Sequence, residues 1–388
     1  MGESKIVTVN CAVDSNKGMA GNIRPVEPVM PSKELYMKEI SSIWDEGVMT
    51  NNGEKVRKLK NMLSSYLHFN NIELFVNGHS ALLLAIRSLQ LNGEVITSPF
   101  TFVSTTNAIV QNGLVPVFAD IDNSYNLDAD KIEELITPKT CAIITPHIFG
   151  IPCDIDKIGK IARKYNLKVI YDGAQAFGTM VQGKPIGLFG DITMFSFHAI
   201  KIFNTIEGGM LMYQQDSLQR VFELYRNFGI SYHELGNDTE CIGINAKMNE
   251  FQAAMGIVNL SGLENEIQKR KELTDIYCQG LKDIPGIQTY DYKDGIRYNY
   301  AYFPVKVWKE YGITRDELWR KLKDMGIGTR KLYDKLTCDF QCYKDCGYIR
   351  KTDYADQIKQ AALDLPIYGT MDKKDAEYIC DAIRKLSK

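Results

Sequence analysis

At 388 residues, 45% apolar and 24% charged, the chain is longer than one hydrophobic core usually holds, so a large domain with a smaller one attached is expected. A formal net charge of −2 without a dense run of Lys or Arg argues against a nucleic-acid partner. No apolar run approaches the roughly 20 residues that cross a bilayer, and residues 1–10 lack the basic start and apolar block of a secretory signal; no membrane partner and a cytoplasmic location are expected.

The leading segment, 1–50, carries Pro25, Pro28 and Pro31 and is predicted to pack over the large domain or a neighbouring subunit. From 73 to 213 short β-rich runs alternate with helix-length amphipathic stretches. Strands are predicted at 73–76, 94–97, 115–119, 141–145, 168–171 and 192–195, with helices at 80–91, 103–112, 129–136 and 155–165. The runs are nearly continuously apolar, as strands covered on both faces are, and the alternation argues for a mostly parallel sheet with helical crossovers. A helical stretch from 249 to about 283 ends at Pro285-Gly286. A strand at 301–307 and helices at 314–325 and 373–386 make the remainder a smaller α+β unit. The expected division is therefore 1–50, 51–250 and 251–388. Of nine cysteines most sit singly in apolar contexts, as reduced buried thiols do. Cys338, Cys342 and Cys346 recur every four residues, which would place them on one helical face; the spacing matches no common metal pattern, so a structural role is expected and no metal.

Three signals carry chemistry. Asn77-Gly78-His79-Ser80 stands where a strand ends and a helix begins, and free backbone N–H groups with the helix dipole suit an anion there; Ser80 as a plain N-cap is the bland reading. Asp172 ends the buried strand Val169-Ile170-Tyr171, at the carboxyl end of a strand, where ligands gather in open parallel sheets; a capping Asp is the alternative. Lys201 follows Ser196 by five residues and precedes Gly208-Gly209, between apolar runs. Desolvation favours a neutral amine, the form that condenses with a carbonyl, whereas a lone lysine is more often a snorkelling surface residue.

Together these signals resemble fold type I pyridoxal-phosphate (PLP) enzymes, and most closely the sugar-nucleotide aminotransferases of the DegT/StrS type. The matching stretches are Met49-Thr50-Asn51-Asn52-Gly53, Asn77 to Ser80, Ser98 to Val103, Asp172-Gly173-Ala174-Gln175, Ser196 to Lys201, Glu207-Gly208-Gly209 and Gly243 to Met248, and they span nearly the whole chain. The resemblance implies an α/β fold with a mostly parallel seven-stranded sheet between helices and a smaller C-terminal α+β domain. By similarity Lys201 carries the cofactor and then shuttles a proton, while Asp172 lies against the pyridine nitrogen and keeps it protonated. Gly78, His79, Ser80 and Ser196 are implied to hold the cofactor phosphate, Phe102 to stack on its ring and Gln175 to touch its phenolic oxygen. Asn245 matches a residue that reaches the neighbouring subunit's cofactor, which implies a homodimer with shared sites. Thr50, Asn51, Lys247, Arg330 and Tyr333 fall in substrate-side segments. Gly173, where Ala is commoner, and Gln175, where the nearest branch often has His, are departures from the family pattern.

The implied reaction moves an amino group from L-glutamate, through pyridoxamine phosphate, to a nucleotide-linked keto sugar. The wording of the Met49 and Ser196 stretches is most like the branch that aminates dTDP-4-keto-6-deoxyglucose at C4, for O-antigen, other glycan or secondary-metabolite synthesis. Amination at C3, or a UDP-linked sugar, is the alternative. A dehydratase of the same fold would have histidine at position 201, a non-catalytic PLP-fold regulatory protein would lack Asp172 or Lys201, and a cysteine desulfurase would need a reactive thiol, which only the Cys338–Cys346 region offers.

Overall fold

The computed structural model of the chain describes residues 22–233 and 236–387. All six predicted strands form, with ends moved by a residue or two, and a seventh, Gly209–Tyr213, joins them. Across the sheet the order is Ile72–Phe75, Gly209–Tyr213, Ile192–Ser196, Lys168–Asp172, Thr140–Pro146, Glu94–Thr97 and Val115–Phe118. Gly209–Tyr213 is antiparallel to both neighbours and every other pairing from Ile192–Ser196 outward is parallel. Alternate residues of one strand serve opposite faces: Ile144 and Ile170 join a core with Leu82 and Ala85, whereas Ile143, Val169 and Tyr171 join one with Ile158 and Ile161. Two covered faces are the reason these strands read as unbroken apolar runs.

The crossover Ile155–Tyr165 shows how a helix is written locally. Asp154 caps it by accepting from the Lys157 N–H, Asn166 ends it in the left-handed region, and Ile158, Ile161 and Ala162 face the sheet. Burying each isoleucine contributes about 2 kcal/mol. The helix predicted at 129–136 is instead two turns of 3-10 helix, Ala129–Lys131 and Glu133–Leu135. The reason is spacing: Ile132 and Leu135 are both buried, and residues three apart stack on a coil of three residues per turn.

The predicted helical stretch after 249 is two helices, Glu250–Leu260 and Leu263–Leu281, interrupted at Ser261-Gly262. Beyond them a three-stranded antiparallel sheet orders Ile287–Thr289, Phe303–Val307 and Ala362–Leu365. Tyr277, Leu318, Leu322, Ile379 and Ile383 close a second core over Phe303, Val305 and Leu363. Of the leading segment, residues 1–21 lie outside the described residues. Ile23 then bridges to Ile327, and the helix Lys33–Glu46 lies on Glu250–Leu260, burying Ile40 and Ile43 against Ala254.

The three spaced cysteines do not share a helical face. Cys338 sits in a 3-10 turn, Phe340 is extended (φ −68°, ψ 146°) and breaks the run, Cys342 lies in the four-residue helix Gln341–Lys344, and Cys346 falls beyond its end. Among the described residues no three His, Cys, Asp or Glu side chains converge as a metal site, and no helix is long and apolar enough to cross a membrane.

Candidate active site

The parallel strands end on one side of the sheet, and the turns that leave them enclose a cleft of about 580 Å³. Gly78, His79, Ser80, Phe102, Asp172, Gln175, Ser196 and Lys201 all line it, and so do Arg330 and Tyr333 from the C-terminal part. Ten positions scattered over some 250 residues are thus gathered at the edge formed by the strands' carboxyl ends, where open α/β sheets bind ligands.

The helix Gly78–Ser88 starts at this edge. Its cap is Asn77, whose side chain accepts from the Ser80 N–H at 2.8 Å, so Ser80 is not the N-cap and its hydroxyl is free of that duty. A Cβ on Gly78 would come within 2.8 Å of the Ser196 Cβ, so only glycine lets the helix start and the Ser196 strand end approach this closely. His79 Nδ1 and the Ser104 hydroxyl are 2.8 Å apart. Backbone N–H groups, a hydroxyl and an imidazole around a tight glycine turn suit a phosphate.

Asp172 forms the floor, 6% exposed. Burial raises its pKa above the usual carboxylate range; hydrogen bonds from the Thr105 hydroxyl (2.7 Å) and the Ala174 N–H (3.0 Å), with the charges of Lys201 and His79, act against that rise. A buried carboxylate at a cleft floor is stabilised by a cation or a protonated ring nitrogen placed over it, which is what the pyridinium of PLP presents. The residues present therefore fit that cofactor: an anion cradle at Gly78 to Ser80, an acid at Asp172 and an amine at Lys201.

Gln175 is held in place, its Oε1 accepting the Phe149 N–H and its Nε2 donating to the Tyr333 hydroxyl at 2.7 Å. Phe102 precedes the helix Val103–Gln111 and is 64% exposed, so it is no core residue and its ring is open at the mouth of the cleft. Arg330 Nε and Nη2 both donate to Asp364 Oδ2, at 2.9 and 2.5 Å, and its guanidinium lies 5.1 Å from the centre of the Tyr302 ring. The remaining substrate-side candidates lie elsewhere. Thr50 is exposed, while Asn51 and Lys247 line a separate cleft of about 650 Å³ with Arg57, Lys60, Arg220 and Arg226. Lys247 Nζ donates to Asn227 Oδ1 (2.7 Å) and to Asn245 Oδ1 (2.9 Å), and burial together with the charge of Arg226 lowers its pKa.

Sequence reasoning missed Thr105, Ser104, His147 and Tyr302. His147 lines the cleft, stacks on Tyr171 at 4.6 Å, and burial lowers its pKa to about 3, so it is a neutral ring. Thr105 and Ser104 lie just beyond the Ser98 to Val103 stretch, and their place one turn into a helix at the sheet edge was the available signal. None of Cys338, Cys342 and Cys346 lines the cleft, and burial raises the Cys338 thiol to about 11, the opposite of an activated thiolate.

Residues 32–384 match the DegT/DnrJ/EryC1/StrS aminotransferase family. The dTDP-4-amino-4,6-dideoxy-D-glucose transaminase of Shigella dysenteriae is 38% identical over 361 residues, 93% of this chain and 98% of that one. The GDP-perosamine synthase of Escherichia coli O157:H7 is 30% identical, over 92% of this chain and 97% of its own. Among solved structures, DesI in the presence of its TDP-sugar product superposes with a TM-score of 0.88 at 28% identity, covering 95% of this chain and 93% of that one. The edge-of-sheet cleft, its lysine and buried aspartate, and these likenesses agree: the chain belongs to the DegT/DnrJ/EryC1/StrS aminotransferase family, PLP-dependent sugar aminotransferases of fold type I.

Proposed function

We propose that the protein transfers the amino group of L-glutamate to C4 of dTDP-4-keto-6-deoxyglucose, acting in the cytoplasm as a homodimer in sugar biosynthesis for an O-antigen or a similar glycan. The observation that carries the reading is the meeting of Lys201 and Asp172 in one cleft with the Gly78 turn. When bound, PLP supplies an aldehyde that takes up the amino group and a ring that delocalises the electrons left as the α-proton departs. Lys201 would tether the cofactor and, once the donor's amine displaced it, its freed amine would take the proton from the donor's α-carbon and in the second half-reaction give one to the sugar carbon that receives the nitrogen, which uses one amine as base and acid in turn. Asp172 holds a proton at the ring nitrogen. Gly78, His79, Ser80 and Ser196 bind the phosphate, Phe102 covers the ring, and Gln175, locked by Phe149 and Tyr333, orients the phenolic oxygen.

Neither Asn245 nor Lys247 lines the Lys201 cleft of its own chain; Lys247 lines the basic cleft and holds the Asn245 side chain. Leu35, Met37, Trp44, Met49 and Ile242 are each more than half exposed, large apolar side chains of the kind a second copy would cover. In this reading the basic cleft of one protomer completes the Lys201 cleft of its partner, Asn245 reaches the partner's cofactor phosphate, and Lys247, Thr50 and Asn51 meet the sugar nucleotide. Residues 51–250 form the cofactor-binding domain and 251–388 the smaller one, with Arg330 and Tyr333 closing the cleft from that side. The eight described cysteines are all free thiols, which suits a reducing compartment.

The test is a panel of dTDP-, UDP- and GDP-linked 4-keto and 3-keto sugars, each offered with glutamate, with product NMR to place the nitrogen. Amination of the dTDP-linked 4-keto sugar at C4 supports the proposal. Nitrogen at C3, or selective turnover of a UDP- or GDP-linked sugar, replaces it.

A further inference from the structure

Lys201 has one side-chain hydrogen-bond partner among the described residues, the Tyr302 hydroxyl, at 3.4 Å from Nζ. Tyr302 is 5% exposed and comes from the other side of the cleft, as the residue immediately before the strand Phe303–Val307. None of the stretches that carry the family resemblance includes it. Its ring is fixed from two directions. Phe149 packs on it at 5.7 Å, tilted by 52°, and the Arg330 guanidinium lies 5.1 Å from its centre. Buried Asp364 anchors both the guanidinium and the chain beside Tyr302, because the same carboxylate accepts from Arg330 and from the Phe303 N–H (3.1 Å). Tyr333, the other phenol in the cleft, is committed to Gln175, so the two tyrosines have different tasks.

From this arrangement we infer that Tyr302 is a positioning residue for Lys201, holding its amine in the reactive orientation in both the neutral and the protonated state. The inference rests on the aminotransferase reading above and deepens it. A lysine that acts as base and then as acid alternates between an amine with one lone pair and an ammonium with none. A carboxylate or carbonyl only accepts, and so favours the ammonium. A phenol accepts an N–H from either form, more strongly from the charged one, so losing it should lower the midpoint, and by rotating its own O–H it can also meet the lone pair. Accepting from the neutral amine leaves that lone pair free to take the α-proton. The contact is at the long end of an N–H···O bond, as catalytic contacts commonly are before substrate binds.

The experiment compares Tyr302→Phe, which keeps the ring and its packing, with the wild-type holoenzyme. Glutamate converts each to the form in which Lys201 is released, and labelling of Lys201 by fluorodinitrobenzene is followed against pH by peptide mass spectrometry. Stopped-flow absorbance then gives the rates of the glutamate and keto-sugar half-reactions. The expected result is a labelling midpoint moved by at least about half a pH unit, with both half-reaction rates lowered about 10-fold to 100-fold and KM for the sugar nucleotide unchanged. Unaltered labelling and rates overturn the inference, and so does a rate loss with an unmoved midpoint, which marks a merely structural contact. A moved midpoint and a slowed glutamate half-reaction in an enzyme that aminates no sugar nucleotide would support Tyr302 while refuting the proposed acceptor.

Discussion

A carboxylate 6% exposed is an expensive thing to keep at the end of a β-strand, and the two donors that satisfy Asp172, Thr105 and Ala174, do not remove that cost. Asp172→Ala should therefore lower kcat by about 10³-fold while leaving the fold intact, checked by steady-state kinetics beside a circular dichroism spectrum; activity within tenfold of wild type would deny Asp172 its role. Gly78→Ala brings a methyl to 2.8 Å from the Ser196 Cβ and should weaken cofactor affinity at least about tenfold, read from a cofactor titration of the apoenzyme. Asp172, Lys201 and the Gly78 turn were legible in the sequence because each sits next to its own strand end. Thr105 and Tyr302 were not, since their importance comes from partners 67 and 101 residues away. The departure at Gly173 also has a local cause: a Cβ there would meet the Met194 carbonyl at 2.8 Å and the Phe195 ring at 2.9 Å. With phenylalanine at 195, glycine is the residue that fits.

At the scale of elements, the strands were readable because two covered faces leave an unbroken apolar run, and Gly209–Tyr213 escaped individual notice because its first residue is a glycine that reads as a turn. The predicted helix at 129–136 is replaced by two 3-10 turns because its buried Ile132 and Leu135 stand three apart, and the cysteine face failed because Phe340 turns the chain between two short coils. The link between Arg330 and Asp364 joins the strand Ala362–Leu365 to the wall of the cleft by two side-chain and two backbone bonds. No local pattern announces such a pair. Asp364→Ala leaves the guanidinium without its counter-ion and should cost about 3 kcal/mol of stability, measured by urea unfolding. The same variant should slow both half-reactions, because Tyr302 loses its support. A loss below about 1 kcal/mol would mean that the pair is not load-carrying in the fold.

Across the whole molecule, Lys306 ties the C-terminal sheet to the 120–126 loop. Its Nζ donates to the Asn123 carbonyl (2.9 Å) and the Tyr354 hydroxyl (3.3 Å) and lies 4.7 Å from the centre of the Tyr125 ring. Burial pushes its pKa down to about 8, with Asp122 acting against that. In the unfolded chain the amine returns to about 10.4, so between these values the unfolded state binds more protons and the contribution of Lys306 to stability rises with pH. Measured against Lys306→Met, the wild-type protein should gain up to about 3 kcal/mol from pH 8 to 10.4; a pH-independent difference would contradict the assignment. The proposed sharing of sites between protomers makes a second prediction at this scale. Lys201→Ala and Asn245→Asp, each inactive alone, should recover about a quarter of wild-type activity when their subunits are exchanged, whereas no recovery would mean that each cleft works within one chain.

Lys201 is where these scales meet, and the most direct measurement is made on the purified protein itself. Borohydride reduction followed by peptide mass spectrometry should find the phosphopyridoxyl group on Lys201 alone, and glutamate added beforehand should bleach the visible absorbance and prevent the attachment. A group found on another lysine, or a spectrum that glutamate leaves untouched, would contradict it.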